Sequence, residues 1–341
     1  MTMLAAYLVK PGRFELRNVP MPSVGDDQVL VKIARTGICG TDMHIFNGHY
    51  AADKLPLIPG HEFTGTVVET GKNVVGTKVG QSVVVDMNIG CGHCYWCRRN
   101  EILNCPDMQQ MGITINGAFA EFIAVPARLV IAAPDKTPQA VLALTEPLAC
   151  VVRAARKARI TFGQSVVVIG AGPIGNLHVQ LLRTIGAAPI IVSDISRDRV
   201  RLALEAGADY GVTDPAELGP TVMRATEGRG ADIVIESVGH PSLYQTAMQL
   251  IRKGGHVAAF GLTGAGETLP VDILQTILEE NSIKGSVAGM GQDMHDSLTL
   301  LTHGRIRTEA FTGATFPLAD IQSAFDSLVD RPEDLKTQIV M

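Results

Sequence analysis

The sequence predicts an α/β-plus-β chain: a mostly β domain over residues 1–150, a doubly wound α/β domain over 151–290, and a segment over 291–341 whose tail reads as a strand returning to the first domain. Three observations carry this. A chain of 341 residues is too long for one ordinary core. Up to about residue 130 the apolar residues fall in short, β-branched-rich runs between turn signals. From Ser165 onward strand patterns alternate with helix patterns, which means βαβ crossovers and a parallel sheet.

In the first part the strand candidates are the N-terminal "MTMLAAYLV", "VLVKIA" (29–34), "FTGTVVETG" (63–71), "QSVVVDM" (81–87) and "AFAEFIAVP" (118–126). "QAVLALTEPLACVVRAARKARI" is apolar on a helical period and reads as a connecting helix around Pro147. The alternating part runs strand "SVVVIGAG", helix "PIGNLHVQLLRTIGA", strand "PIIVSDI", helix "SRDRVRLALEAGA". Further strands are "YGVTD", "ADIVIESVG" and "HVAAFGL", with helices "LYQTAMQLIRKGG" and "VDILQTILEEN" between them; "DLKTQIVM" is the returning strand.

Composition excludes several functions. The formal net charge is −5 and the longest basic cluster is the Arg98–Arg99 pair, so there is no basic face for nucleic acid. No apolar run reaches a membrane span. The N-terminus lacks a basic n-region and meets Lys10, Pro11 and Gly12 too early for a signal peptide, so the expected location is cytoplasmic. Thiols stay reduced there, and clustered cysteines then point to metal rather than disulfides.

"VVVIGAGPIGN" holds Gly170, Gly172 and Gly175 in G-x-G-x-x-G spacing, with Pro173 and Ile174 inside it. A strand precedes the motif, a helix follows, and an acid, Asp194, comes about twenty residues later; this is the context a dinucleotide needs. The first glycine makes the tight turn. The second admits the pyrophosphate, and the third brings helix and strand together. Free N–H groups at the helix start then face the phosphates. A carboxylate at Asp194 accepts from both ribose hydroxyls of NAD and repels a 2′-phosphate. Arg197 and Arg199 follow closely, so NADP stays open as the lesser alternative.

Four of the six cysteines, Cys91, Cys94, Cys97 and Cys105, sit in one loop spaced Cys-x2-Cys-x2-Cys-x7-Cys. Four thiolates suit a closed tetrahedral zinc site, which is structural. An iron–sulfur cluster is the rival, but its last spacer is three rather than seven, and no second cysteine cluster is present. His93 lies within the loop and reads as an exposed side chain. Cys39, His61 and Glu62 are a second constellation of zinc-binding residue types. Taken singly, each is more simply a core thiol or a turn residue.

The strings "GICGTDMH", "PGHEFTGTVVETG", the cysteine loop, "TEPLAC" and "VIGAGPIG", in this order, decide the matter. Over essentially its full length the chain resembles the zinc-containing medium-chain dehydrogenases, the alcohol, polyol and threonine dehydrogenase superfamily. The resemblance implies a GroES-like catalytic domain and a Rossmann coenzyme domain. It implies two zinc ions per chain. Cys39 and His61 match ligands of the catalytic one; Glu62 and Glu146 match two acids, of which either is the further ligand depending on state. Thr41 and His44 match the proton relay, and Asp42 a partner that orients the zinc-bound histidine. Cys150 lies four residues past Glu146 and reads as a small buried hydrophobe.

The function implied is zinc-dependent hydride transfer between a secondary alcohol and NAD, the substrate being a polyol, sugar alcohol or sugar acid. A substrate proton would leave through Thr41 toward His44. The loops 237–241, 260–264 and 286–290 should border the nicotinamide, with Val238 and Leu262 as contacts. An L-threonine 3-dehydrogenase-like activity is the alternative; a non-catalytic zinc-stabilised binding protein is the alternative of another class. The family suggests homodimers or homotetramers, and an edge strand near 282–287 could extend a sheet across a dimer.

Overall fold

The computed structural model describes residues 1–329 and 334–341. They divide into two compact units. One comprises Met1–Ala149, Met290–Gly304 and Phe311–Met341; the other comprises Cys150–Gly289 and Arg305–Ala310. No helix among the described residues is long and apolar enough to cross a membrane.

The first unit opens with a hairpin of β1 (Thr2–Lys10) and β2 (Arg13–Pro20), turning at Gly12 with φ +77°. Next come β3 (Gln28–Gly37), the short helix α1 (Gly40–Phe46), β4 (Glu62–Thr70) and β5 (Ser82–Val85). β3 and β4 pair antiparallel with two register shifts. Such bulges bend a sheet, and here they leave Gly37 opposite Glu62. The two-residue strands β6 (Asn88–Ile89) and β7 (Gln109–Gln110) pair across the base of the cysteine loop, which carries α2 (Tyr95–Arg98). β8 (Phe122–Pro126) pairs with β3, and β9 (Val130–Ala132) with β5.

The stretch expected to be one helix is two, α3 (Gln139–Leu142) and α4 (Thr145–Ala158). Pro147 explains the break. A proline in a helix interior loses a backbone bond and clashes with the preceding turn. Restarting at Thr145 puts Pro147 in the first turn, where its missing N–H costs nothing.

The second unit is a six-stranded parallel sheet. Its elements are β10 (Val166–Ile169), α5 (Pro173–Ile185), β11 (Ile190–Ser193), α6 (Arg197–Ala206), β12 (Tyr210–Val212), α7 (Pro215–Ala225), β13 (Ala231–Glu236), α8 (Pro241–Leu250), β14 (Ile251–Ala259), α9 (Ile273–Glu279) and β15 (Ser282–Gly285). The strand order is β12-β11-β10-β13-β14-β15, so the winding reverses between β10 and β13. Both faces are covered: Val166 and Val168 enter one apolar cluster, Val167 and Ile169 the other. This is why β10 reads as a continuous apolar run.

One expected helix is shorter than its pattern. "LYQTAMQLIRKGG" is helical only to Leu250, and Ile251 already pairs with Ala231 of β13. Arg252 is drawn to Asp232, its Nε 2.7 Å from Oδ1, and the register shifts before His256 pairs with Ile233. Likewise the strand expected from residue 118 begins at Phe122.

After β15 come α10 (Gln292–Thr302), α11 (Glu309–Thr312), β16 (Ala314–Pro317), α12 (Ile321–Asp326) and β17 (Thr337–Val340). β17 pairs antiparallel with β3 and parallel with β16. The expected return of the chain end to the first unit is thus a strand beside β3.

Candidate active site

In the first unit, ligand atoms of Cys39, His61 and Glu62 lie within 4.8 Å of one another. Local structure puts them there. Cys39 is the N-cap of α1, and Asp42 in the first turn accepts the Cys39 N–H at 2.9 Å through Oδ2. The other Asp42 oxygen accepts the Gly60 N–H at 3.3 Å and faces His61 Nδ1 at 3.4 Å. One buried carboxylate therefore anchors the Cys39 backbone and the turn at Gly60, and its charge stands beside the imidazole. Burial opposes the imidazolium, but Asp42 and the Cys39 thiol outweigh it, and the His61 pKa rises well above the ordinary histidine range. The pocket favours positive charge.

Glu62 begins β4 and is fully buried. Its Oε1 accepts from Lys336 Nζ at 2.6 Å. Its Oε2 and His61 Nδ1 are buried with no hydrogen-bond partner. Gly37 opposite has no side chain, and a Cβ there would run into Oε2. Unpartnered buried polar atoms are costly, and a soft thiolate, an imidazole and a carboxylate are the donor set of a zinc site. The residues fit the metal. Glu146, in the first turn of α4, is also buried, but stands outside this tight trio. Thr41 and His44 sit one turn apart on α1, both half-buried, and the His44 ring lies 6.4 Å from that of His49.

Lys336 was not among the sequence candidates. It is buried, bonds Glu62, and reaches the Ile38 carbonyl at 3.1 Å. Burial works against its ammonium, but Glu62 and Cys39 prevail and raise its pKa. A lysine ahead of an apolar strand, "KTQIV", looks like an ordinary strand-entry charge, so the sequence offered no signal for it.

The four loop cysteines also gather within 4.8 Å of one another. Cys94 N–H points at Cys91 Sγ (3.4 Å), Cys97 N–H at Cys94 Sγ (3.4 Å) and Cys91 N–H at Cys105 Sγ (3.5 Å). Backbone donors from His93 and Cys94 lower the Cys91 pKa to about 6, whereas burial lifts Cys97 to about 12. Four converging sulfurs at these spacings match a closed tetrahedral site. His93 is exposed, as expected. Cys150 is buried and its Sγ accepts the Gly289 N–H at 3.2 Å, a packing role.

In the second unit the glycine loop follows β10 and opens α5 at the winding reversal, where ligands of such sheets bind. Gly170 has φ +95°, and a Cβ on it would lie 2.6 Å from Val238. A Cβ on Gly175 would strike the Gly170 carbonyl. At Gly172, the N-cap of α5 ahead of Pro173 and Ile174, a Cβ would meet nothing within 4 Å; the space before the helix is open. Asp194, just past β11, accepts the Ala171 N–H at 2.7 Å and the Ser196 N–H at 2.8 Å. Arg199 lies in the first turn of α6, its Nε buried without a partner. Val238 and Leu262 are about half exposed (54% and 49%). Their loops touch, since a Cβ on Gly239 would run into the Leu262 carbonyl.

A glycine loop at a parallel-sheet winding reversal and a Cys–His–Glu trio able to hold a metal, on one chain, are the features of a metal-assisted nicotinamide dehydrogenase. Residues 25–135 match the alcohol dehydrogenase GroES-like domain family, and residues 173–303 the zinc-binding dehydrogenase family. An L-threonine 3-dehydrogenase of Pyrococcus horikoshii is 39% identical over 266 residues, 76% of each chain. A sorbitol dehydrogenase of Halalkalibacterium halodurans is 32% identical over 321 residues, 93% of each. A solved structure, described as a zinc-binding dehydrogenase from Sinorhizobium meliloti 1021 bound to NADP, covers 100% of both chains at TM-score 0.90 and 30% identity. The chain belongs to the zinc-containing medium-chain dehydrogenase family, with a GroES-like catalytic domain and a Rossmann domain. It is an NAD(P)-dependent enzyme acting on CH–OH groups.

Proposed function

We propose that the enzyme oxidises a secondary hydroxyl of a polyol, sugar alcohol or sugar acid with NAD, using one catalytic and one structural zinc per chain. The observation that carries this is the Cys39–His61–Glu62 trio, its histidine and acid buried and its thiol half-buried, with a carboxylate oxygen left unpartnered beside Gly37. Zinc bound there would supply Lewis acidity to the substrate oxygen. The remaining work falls to the chain itself. Asp42 holds His61 and the Cys39 backbone in place. Thr41, on the first turn of α1, takes the substrate proton through its hydroxyl, and His44 one turn further passes it to solvent. Glu146 is the acid that completes the site when Glu62 is withdrawn. The glycine loop binds the pyrophosphate and Asp194 the adenosine ribose; the carboxylate's charge disfavours the 2′-phosphate of NADP, despite the cofactor of the Sinorhizobium structure.

The second reading is L-threonine oxidation, favoured by the 39% identity to the Pyrococcus enzyme. Two further parts of the reading concern the whole particle. No cysteine among the described residues is in a disulfide, which suits a reducing cytoplasm. The exposed edge β15 with α9 suits a homo-oligomer built by sheet extension.

Steady-state assays with sorbitol, arabinitol, a sugar acid and L-threonine, each with NAD and NADP, test the substrate and cofactor. We expect the highest kcat/KM with a polyol and NAD; turnover confined to L-threonine would transfer the enzyme to the second reading. Elemental analysis tests the metals: two zincs in the wild type should fall to one in Cys39→Ala. Iron in place of zinc would overturn the reading of the cysteine loop.

A further inference from the structure

We propose that Lys336 is a positioning residue for the catalytic metal. Its ammonium grips one oxygen of Glu62, presents only the other to the ion, and thereby keeps the metal's hold moderate and its coordination exchangeable. The inference rests on Cys39, His61 and Glu62 being a zinc site.

The geometry is specific. Lys336 Nζ lies 2.6 Å from Glu62 Oε1 and 3.1 Å from the Ile38 carbonyl, and the pair is almost fully buried, with side-chain exposures of 4% and 0%. Two partners fix the ammonium, so it cannot swing away without leaving buried groups unpaired. The backbone delivers it there. β17 pairs with β3 so that Gln338 lies opposite Gly37, and Ile38 N–H donates to the Thr337 carbonyl at 2.9 Å. Gly37 is in turn opposite Glu62 across β3 and β4. The last strand of the chain therefore carries a cation to the acid that begins β4.

This arrangement has a chemical consequence. A carboxylate whose Oε1 already accepts from an ammonium offers a metal less charge on that oxygen than on the other, which disfavours chelation through both. It is a one-oxygen ligand through Oε2, the atom that has no partner. The ammonium also competes with a dication for the same negative charge, in surroundings where charges are poorly screened. A bare thiolate–imidazole–carboxylate trio would bind zinc more tightly and bidentately, leaving less room for a substrate oxygen.

The test is zinc affinity at the Cys39 site, by chelator competition on the full chain with the cysteine-loop zinc retained. Lys336→Met keeps the stem and removes the charge. It should tighten zinc about tenfold or more, the scale of one lost charge contact at partial screening, and shift the visible absorption of the cobalt-substituted site. Lys336→Arg keeps the charge, so it should not reproduce the tightening seen in Lys336→Met. In a Glu62→Gln background, Lys336→Met should no longer tighten binding. Unchanged or weaker affinity in folded Lys336→Met overturns the proposal, as does tightening that persists without Glu62. If Lys336→Met does not fold, Lys336→Gln takes its place, removing the charge while keeping an N–H donor for the Ile38 carbonyl: tighter zinc supports the proposal, and unchanged or weaker zinc overturns it. Failure of the underlying reading looks different, because zinc content would then be the same in wild type and Cys39→Ala.

Discussion

Asp42 shows how much of the site hangs on one side chain. It accepts from Cys39 and Gly60 and faces His61, all from a buried position in the first turn of α1. Asp42→Asn keeps the shape but turns half an acceptor pair into a donor. If the trio and the cysteine loop each hold zinc as proposed, about a 10–100-fold loss in kcat or in zinc affinity at the trio is expected, with zinc at the four-cysteine loop unaffected; elemental analysis beside kinetics separates the two effects. At this scale the sequence was informative where chemistry is written in short strings. Cys39, Asp42, His61 and Glu62 lie in two such strings, and the structure brings them together. The loop cysteines were as readable, because their spacing alone confines them. Lys336 was not, because nothing local marks it: its role arises from β17 lying beside β3. Glu146 matched by string, yet stands apart from the trio.

Among the elements, the glycine loop offers a discriminating pair of substitutions. A Cβ on Gly175 would occupy the place of the Gly170 carbonyl, whereas a Cβ on Gly172 meets no protein atom within 4 Å. Gly175→Ala should therefore lower the melting temperature and NAD binding together. Gly172→Ala should leave the melting temperature of the coenzyme-free protein unchanged and, if the pyrophosphate lies on that surface as proposed, weaken NAD about tenfold or more. Thermal melts with and without NAD measure both; equal destabilisation of the two variants would sink the argument. The βαβ order was legible because each strand of the parallel sheet is a short apolar run bounded by turns. Helix ends were less so. Past Leu250 the apolar period continues, and only the pull of Asp232 on Arg252 and the pairing of Ile251 with Ala231 turn the chain into β14. Tertiary contact overrode a local pattern there. The split at Ala143 and Leu144, by contrast, follows from Pro147 by local sterics alone.

For the whole molecule, the proposed oligomer turns on the edge of the six-stranded sheet. β15 is its last strand, with its outward backbone groups unpaired by any other described strand. Such an edge invites another chain unless charge, proline or cover protects it. Here β15 carries one charge, Lys284, but its neighbourhood is largely apolar: Ile273, Leu274, Ile277 and Leu278 of α9 are each 65–73% exposed, and Ile283 on β15 is 43% exposed. An amphipathic surface helix turns its aliphatic side out only when something covers it. In the proposed assembly a second copy would meet both needs at once, because a two-fold axis at β15 would pair the edges antiparallel and bring the two α9 helices to the same interface. We expect the native protein to sediment as a dimer or a tetramer. Ile277→Asp with Leu278→Asp places two charges of the same sign in each copy of that contact, and should halve the particle while leaving the far-UV circular dichroism unchanged. A wild type that sediments as a monomer would refute the assembly, and a double variant that keeps its full size would move the contact elsewhere on the surface.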